Sequence, residues 1–533
     1  MLATGNTISS SLARRLGAKG ENAWKSMEAW FDPLFGQTNN PWRQLGALSY
    51  YYFWIIVITG CYLFAVFDTS VAGAYRSIDY LSHEQWWLGG IMRSLHRYAS
   101  DAFALTMLLH LARELVHGRF RGFRIFSWLT GLPLLWLVYA AGINGYWLVW
   151  DSLAQHSVIA TSEWLDWLPI FSEPIVRNFL TPEGVNDRFF SLTIFLHIGL
   201  PLFSLLFMYI HIQRISQAKT FPPKVLAWGS FAALLVLSLI KPAMNQAPAD
   251  MSMVPINLDY DWFYLGIFPL MYQTSPAVIW LLLGGITLFL VILPWSGHRQ
   301  VVPVAVVNPA NCNGCGRCVN DCPYAAVSLV QRVDGRTFKQ QALVDSDLCA
   351  ACGICAGSCP SSTPFRTAAV LNTGIDMPQL RVDSLRVELE EKLAALEGDA
   401  KVIVFGCDHA ADVAMLKGPG VLPFSLICAA QLPPSFIEYA LRNGADGVMV
   451  TGCREGDCEF RLGTQWVNER LTGERQPHLR RSVSPGRVRV MWHGSGNEQV
   501  LRSALEDFRT TLRTLPTEIK PEPRRREKER KNA

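Results

Sequence analysis

The sequence predicts a multidomain chain: an all-α bundle of six membrane-spanning helices, a small α+β domain, and a terminal α/β domain with a parallel sheet. Three observations carry this reading. The long apolar runs crowd into the first 300 of the 533 residues. Two cysteine runs of one spacing, "CNGCGRCVNDCP" and "CAACGICAGSCP", follow at 312–323 and 349–360. Beyond them come three short apolar segments, each leading into a cysteine.

Taken in order, residues 1–39 are expected to form a cytoplasmic N-terminal segment, and residues 40–300 hold six runs long enough to span a bilayer. These are 44–66, 91–112, 126–149, 189–212, 225–241 and 276–294, the fifth being short. Basic residues set the orientation. Arg14, Arg15, Lys19, Lys25 and Arg43 precede the first span; Arg113, Arg119, Arg121 and Arg124 follow the second; Arg214, Lys219 and Lys224 follow the fourth. The alternate loops are poor in them, with Arg76 in 67–90 and Arg177 and Arg188 among the acidic residues of 151–188. Both termini are therefore expected in the cytoplasm, with the chain multi-pass in the inner (plasma) membrane. Residues 1–30 lack the apolar core and small-residue cleavage site of a signal peptide. A net charge of +4 says little about nucleic acid in a chain that is 50% hydrophobic.

Two spans hold histidines at a repeated interval. His96 and His110 are fourteen residues apart, as are His197 and His211. At about 100° per residue, fourteen steps return to within roughly 40° of the same face, about 21 Å along the axis. Two such helices face to face make two stacked bis-histidine sites. Haem iron takes two axial imidazoles and, so held, transfers electrons. Gly46 and Gly60 in the first span, and Gly131 and Gly145 in the third, repeat the interval, and glycine leaves room where a flat macrocycle nears backbone. Two haems b are expected. Cys61, in the first span, reads as a small core residue.

Twelve of the thirteen cysteines lie beyond residue 311, on the side expected to be reducing, which favours metal over disulfides. Each of the two runs spells C-x2-C-x2-C-x3-C-P. This implies a 2[4Fe–4S] ferredoxin-like domain over 301–372 with the fourth cysteines exchanged. One cluster takes Cys312, Cys315, Cys318 and Cys359, and the other takes Cys349, Cys352, Cys355 and Cys322. Zinc is the alternative for these cysteines. A helical linker, amphipathic over 378–400, occupies 373–400. In 401–515, "KVIVFG", "VLPFSLI" and "DGVMVTG" read as buried strands, after which come Cys407, Cys428 and Cys453, with Cys458 five residues on. Parallel strands gather their C-terminal ends at one edge, so these four should converge; structural zinc and plain buried thiols are the alternatives. The tail, 516–533, is almost pure charge and is expected to be disordered. No Gly-rich dinucleotide fingerprint or phosphate loop is present, so the chain itself is expected to bind neither nicotinamide nor flavin.

The histidine and glycine pairs resemble those of the cytochrome b subunit of cytochrome bc-type complexes, over residues 40–296. The resemblance implies a cytochrome b-like bundle in which His96 and His197 hold the haem nearer the outer face, and His110 and His211 the one nearer the cytoplasm. It implies that Arg93 and Arg113 meet haem propionates, a snorkelling arginine being the alternative for Arg113. "GYWLVWDSLAQHSVIATSEWLDWLP" resembles the loop after that family's third helix, with Val149 where proline is usual. "VPINLDYDWFYLGIF" resembles its quinol-site loop, with Tyr260-Asp261-Trp262-Phe263 in place of Pro-Glu-Trp-Tyr. Asp261, beside Trp262, would then accept a quinol proton, or else be a solvated loop charge. A cytoplasmic-side quinone site finds no matching acid near 212–224.

"DGVMVTGCREGDCEF" resembles the delta subunit of methyl-viologen-reducing hydrogenase. That resemblance implies a [2Fe–2S] cluster on Cys407, Cys428, Cys453 and Cys458, and a flavoprotein partner that is heterodisulfide-reductase-like or NAD(P)-linked. Cys407-Asp408-His409-Ala410 departs from the C-x2-C pair frequent there. The expected function is a membrane electron-transfer subunit of a quinol/quinone oxidoreductase, with quinol electron bifurcation as a sharper version. Expected partners are the membrane, a quinone, the flavoprotein, a second copy in a homodimer, and a Rieske-type protein with cytochrome c. The rival reading is a membrane anchor that docks a soluble hydrogenase or dehydrogenase without quinone chemistry of its own.

Overall fold

A computed structural model describes residues 5–170, 174–175, 184–296, 303–366, 370–494 and 497–516, with side chains from Lys19 onward. The expected tail, Arg177, and the side chains of Arg14 and Arg15 lie outside the described residues. The chain forms two compact units, Met1–Gln213 with Ala218–His298, and Arg214–Gln217 with Arg299–Ala533.

The described part of the first unit is helical. Its elements are α1 (Gly5–Asn39), α2 (Leu45–Val66), α3 (Ala74–His83), α4 (Ile91–Val116), α5 (Ile125–Val149), α6 (Ser152–Asp166), α7 (Asp187–Ile212), α8 (Lys224–Ile240), α9 (Ile267–Gln273) and α10 (Pro276–Ile292). Local chemistry marks the ends. Trp150 turns left-handed at φ 54° and ends α5, where the family resemblance expected proline at 149. Asp151 then caps α6, accepting from the Ala154 N–H at 2.9 Å. Asn186 caps α7 by accepting from the Arg188 N–H at 3.0 Å, and Ser275 with Pro276 opens α10.

Helix α2 packs along α4, and α5 along α7. Leu48, Phe53, Phe103, Val138 and Met208 are among the buried side chains of their shared core. Among the described residues, four helices are long and apolar enough to cross a membrane: Leu45–Val66, Gly122–Val149, Asp187–Ile212 and Pro276–Trp295. The expected second and fifth spans fall short of that measure for different reasons. Helix α4 has 26 residues but carries Arg93, Arg97, Asp101, Arg113 and Glu114, whereas α8 is apolar but has only 17 residues. Cys61 is exposed on α2 rather than in the core. In an apolar span hydrophobicity does not distinguish the inward face from the outward one.

In the second unit, strand β1 (Val306–Val307) pairs antiparallel with β4 (Ile375–Asp376), and β2 (Val327–Gln331) with β3 (Gln340–Val344). Two short helices, α11 (Arg317–Asp321) and α12 (Ile354–Ser358), each follow a left-handed glycine, Gly316 at φ 75° and Gly353 at φ 74°. These glycines reverse the chain between the second and third cysteines of each run, a turn that a side chain would strain. Helix α13 (Val382–Ala394) lies in the expected linker but buries Val382, Leu385, Leu389 and Leu393.

Strands β5 (Val402–Cys407), β6 (Val421–Leu426), β7 (Gly447–Gly452) and β8 (Val488–Trp492) form one parallel sheet in the order β6-β5-β7-β8. The two inner strands are buried at every residue, as a parallel sheet covered on both faces requires. Pro423 lies on β6, an edge strand, where a missing N–H breaks no ladder. Helices α14 (Ser435–Arg442), α15 (Gly463–Thr472) and α16 (Glu498–Thr514) complete the domain. Leu501, Leu505, Phe508 and Leu512 of α16 join Val402, Val404 and Met449 in one core cluster.

Candidate functional site

In the helical unit, each of the four histidines meets one of the four glycines. A Cβ added to Gly46 would stand 3.3 Å from His110 Cε1, and one on Gly60 3.1 Å from His96 Cε1. On the other helix pair, Gly131 meets His211 at 3.2 Å and Gly145 meets His197 at 2.9 Å. Sequence reasoning assigned these glycines to clearance for a macrocycle; the geometry shows them also clearing room for the imidazoles themselves. The rings of His96 and His197 face each other with centroids 6.1 Å apart. With roughly 1.1 Å from ring centre to Nε2 and metal–imidazole bonds of about 2.0 Å, two ligands across one metal stand about 6.2 Å apart. The pair therefore fits a shared axial metal. His110 lies within electrostatic reach of His211.

The opposite ring nitrogens are engaged with backbone. His96 Nδ1 lies 3.1 Å from the Ile56 carbonyl, and His197 Nδ1 3.1 Å from the Ala141 carbonyl. Donation from Nδ1–H fixes the tautomer and leaves Nε2 as the free donor pair for a metal. Threonine hydroxyls stand at two of the rings, Thr59 at 3.1 Å from His96 Nδ1 and Thr130 at 3.3 Å from His211 Nδ1.

Of the two arginines suggested for propionates, Arg93 is buried and donates to Ser82 Oγ. Arg113 is buried and ion-paired to Glu28 at 2.8 Å. With Arg119 and Arg124 it also surrounds Glu114, at 3.5, 3.7 and 3.6 Å. Asp261 is not a solvated loop charge, since its side chain is 9% exposed. One carboxylate oxygen accepts from the Phe263 N–H at 2.8 Å and the Tyr264 N–H at 2.9 Å. The other receives Arg97 and the Tyr146 hydroxyl, and Arg97 also pairs with Asp101. Trp262 beside it is 72% exposed. Tyr260 donates to the Leu265 carbonyl at 2.9 Å, with His156 Nε2 3.4 Å from its hydroxyl.

The electrostatic neighbours of the buried cysteines cross between the two runs. Burial pushes the Cys318 thiol up to about 12, with Cys359, Cys315 and Cys312 as the thiols acting on it. Burial raises Cys355 as well, where the strongest thiol neighbours are Cys352, Cys349 and Cys322. Backbone N–H groups of Ala326 and Ala342 donate to the sulfurs of Cys322 and Cys312, at 3.3 and 3.4 Å. Thiols crowded in this way ionise readily only with a metal to take up the charge.

Cys407, Cys428, Cys453 and Cys458 come together at the C-terminal edge of the parallel sheet. Cys407 and Cys453 sulfurs are 4.0 Å apart. An added Cβ on Gly463 would lie 2.5 Å from Cys428 Sγ and 3.1 Å from Cys458 Sγ. Hydrogen bonding from Cys428 and Cys453 holds Cys407 and Cys458 well below the usual thiol range, and the same bonds push Cys428 and Cys453 up. A tetrahedral zinc with bonds of about 2.3 Å would bring all its sulfurs to about 3.8 Å of one another. Among the described residues, the one set of three candidate ligand atoms within 4.8 Å of one another is Cys407, Asp408 and His409. The 4.0 Å between the Cys407 and Cys453 sulfurs is close to the zinc spacing, so zinc stays an alternative to an iron–sulfur core at this edge.

Comparison with known proteins accounts for three stretches. Residues 33–219 match the family described as Cytochrome b/b6/petB, residues 311–363 the 4Fe-4S dicluster domain, and residues 402–516 the methyl-viologen-reducing hydrogenase, delta subunit. Cytochrome b6 of Porphyra purpurea is 31% identical over 177 residues, covering 32% of this chain and 80% of that protein. The chain belongs to the cytochrome b/b6 family. Cytochrome b6 of Tupiella akineta is 30% identical over the same extent. A solved structure titled "Hyperthermophilic respiratory Complex III" matches at 20% identity and a TM-score of 0.39, over 47% of this chain and 74% of that one, too slight a likeness to argue from. As a cytochrome b joined to a 4Fe-4S dicluster domain, the chain is a membrane electron-transfer protein of oxidoreductase type that uses haem b and iron–sulfur clusters.

Within the cytochrome b part, sequence reasoning missed Thr59, Thr130, Arg97 and Tyr146. A repeated signal was present: Thr59 and Thr130 each immediately precede one of the paired glycines. In the delta-subunit part it noted His409 only as a departure from the C-x2-C pair, whereas its ring stands beside the Cys407 sulfur and meets Phe460 at 5.1 Å between centroids.

Proposed function

We propose that this cytochrome b-family chain is the membrane subunit of a quinol/quinone oxidoreductase, and that it carries electrons between a quinone and a cytoplasmic flavoprotein. Its six spans would set both termini in the cytoplasm of a plasma membrane. The observation that carries the reading is the fourfold glycine–histidine apposition with the 6.1 Å facing pair. His96 with His197, and His110 with His211, would hold two haems b, which when bound supply one-electron redox chemistry. The backbone carbonyls of Ile56 and Ala141 orient His96 and His197 for that task.

Cys312, Cys315, Cys318 and Cys359 would hold one [4Fe–4S] cluster, and Cys322, Cys349, Cys352 and Cys355 the second. Cys407, Cys428, Cys453 and Cys458 would hold a [2Fe–2S] cluster. Asp261 would accept a proton from quinol. Its carboxylate is already hydrogen-bonded to a phenol, Tyr146, so it is chemically suited to receive a second hydroxyl donor. The guanidinium of Arg97 pairs with the same carboxylate and fixes its position.

A redox titration of the visible spectrum, with haem quantified per chain, tests the core of this reading. Two transitions at two haems b per chain are expected. One transition with one haem, or none, would reject it in favour of a membrane anchor with vestigial sites.

A further inference from the structure

We propose that Asp321, Gly357 and Arg470 are positioning residues that hold the second [4Fe–4S] site against the Cys428 edge of the four-cysteine site, making this junction the single-electron crossing between the two domains. The proposal rests on the cluster assignments made above.

Asp321 ends α11, immediately before Cys322, and is 2% exposed. A buried carboxylate is costly unless it is paired and its remaining lone pairs are satisfied. Here Arg470 reaches one oxygen at 2.6 Å and Arg475 the other at 2.7 Å. The indole N–H of Trp466, itself fully buried, donates to the Asp321 carbonyl at 3.0 Å. All three partners come from the delta-subunit-like domain, so the carboxylate is satisfied only while the two domains are in contact.

Arg470 does more than neutralise it. Its second terminal nitrogen donates to the Ala430 carbonyl at 2.8 Å, two residues beyond Cys428. One buried guanidinium therefore ties the turn before Cys322 to the turn after Cys428. Lysine, a single point charge, could not make both bonds in these directions.

Gly357 gives the same contact from a second element. Helix α12 carries Cys355 and packs on the Ala429–Gln431 turn. An added Cβ on Gly357 would lie 2.1 Å from the Ala430 oxygen, so any side chain there would push the helix away. The contact is also selective between the two ferredoxin-type sites. Three of the second set, Cys322, Cys352 and Cys355, are buried, whereas of the first set only Cys318 is.

The crossing itself moves one electron. With both clusters bound, the [4Fe–4S] centre would lose the electron that the [2Fe–2S] centre gains, or the reverse, with no bond made or broken.

Electron paramagnetic resonance of the full-length, dithionite-reduced protein tests this, with iron and zinc quantified alongside. Wild type should show spin–spin coupling between the [2Fe–2S] signal and a [4Fe–4S] signal. Gly357→Val and Arg470→Gln should lose that coupling while keeping both cluster types and their midpoint potentials. Val333→Ala, at a residue 98% exposed, is the control and should retain it. Coupling unchanged in both variants would overturn the proposal. So would wild-type clusters that are present but uncoupled, a result that needs no variant to fold. Zinc in place of the [2Fe–2S] signal would overturn the cluster assignment and the junction with it, whereas uncoupled clusters would overturn the junction alone.

Discussion

In the helical unit, the candidate redox sites draw their residues from separate helices spread between Gly46 and His211, and each helix pair supplies histidines from one member and glycines from the other. In the second unit, the eight cysteines of the ferredoxin-type sites lie in two short runs, and the fourth cysteine of each run acts electrostatically on a cysteine of the other. The first arrangement uses rigid helices as rulers, so spacing along the chain becomes spacing in depth. The second uses tight turns as cradles, so spacing becomes local geometry. What the contrast teaches is where each kind of site is vulnerable. A helix-built site fails one histidine at a time, whereas an exchanged cysteine site couples two distant turns.

The largest effects should separate these two modes. His110→Ala is expected to lower haem content from two per chain to one and leave the other haem's titration intact, measured by pyridine haemochromogen and potentiometry. Loss of both would show that the two sites are not independent. Cys322→Ser should remove the second [4Fe–4S] cluster and spare the first, although Cys322 belongs by sequence to the first run. Iron analysis with Mössbauer spectroscopy would see it, and loss of the first cluster instead would refute the exchange.

Next in size, Asp261→Asn should slow quinol oxidation by roughly 10²-fold, the usual range for removing a general base. Stopped-flow reduction of haem by a quinol measures it, and an unchanged rate would reassign Asp261 to holding Arg97. A smaller effect is expected of Gly145→Ala, which places a methyl 2.9 Å from His197. Overpacking of this kind costs about 1–3 kcal/mol, read as faster haem loss to an apo-acceptor. Smallest of all, Thr59→Val removes one of two acceptors near His96 Nδ1. Losing about 0.5–1.5 kcal/mol of hydrogen bonding lowers ligand basicity and should raise that haem's potential by about 20–60 mV.

The parts legible in the sequence are those governed by periodicity. Fourteen-residue intervals identified His96, His110, His197 and His211, because a helix converts sequence interval to face and depth without reference to its neighbours. The strands leading to Cys407, Cys428 and Cys453 were legible for a like reason, being short apolar runs that end at one sheet edge. Strand β8 was not read, since Arg489 interrupts its apolar pattern at a position the sheet tolerates on its outer edge. Partners contributed by remote elements were invisible too. Nothing near Asp261 in the sequence points to Arg97 or Tyr146, and nothing near Asp321 signals that Arg470 answers it. Such pairs are set by tertiary packing, which a single sequence encodes only in sum.

The packing of α2 along α4 and of α5 along α7 bears on how the protein is made. Each pair joins near neighbours in the chain, so both glycine–histidine contacts of a pair can form as soon as its second helix leaves the ribosome. The first pair is complete before α5 is synthesised. Each hairpin would then hold its imidazoles ready before its counterpart arrives, and a haem held by histidines of both pairs would be captured only when the two preassembled hairpins dock.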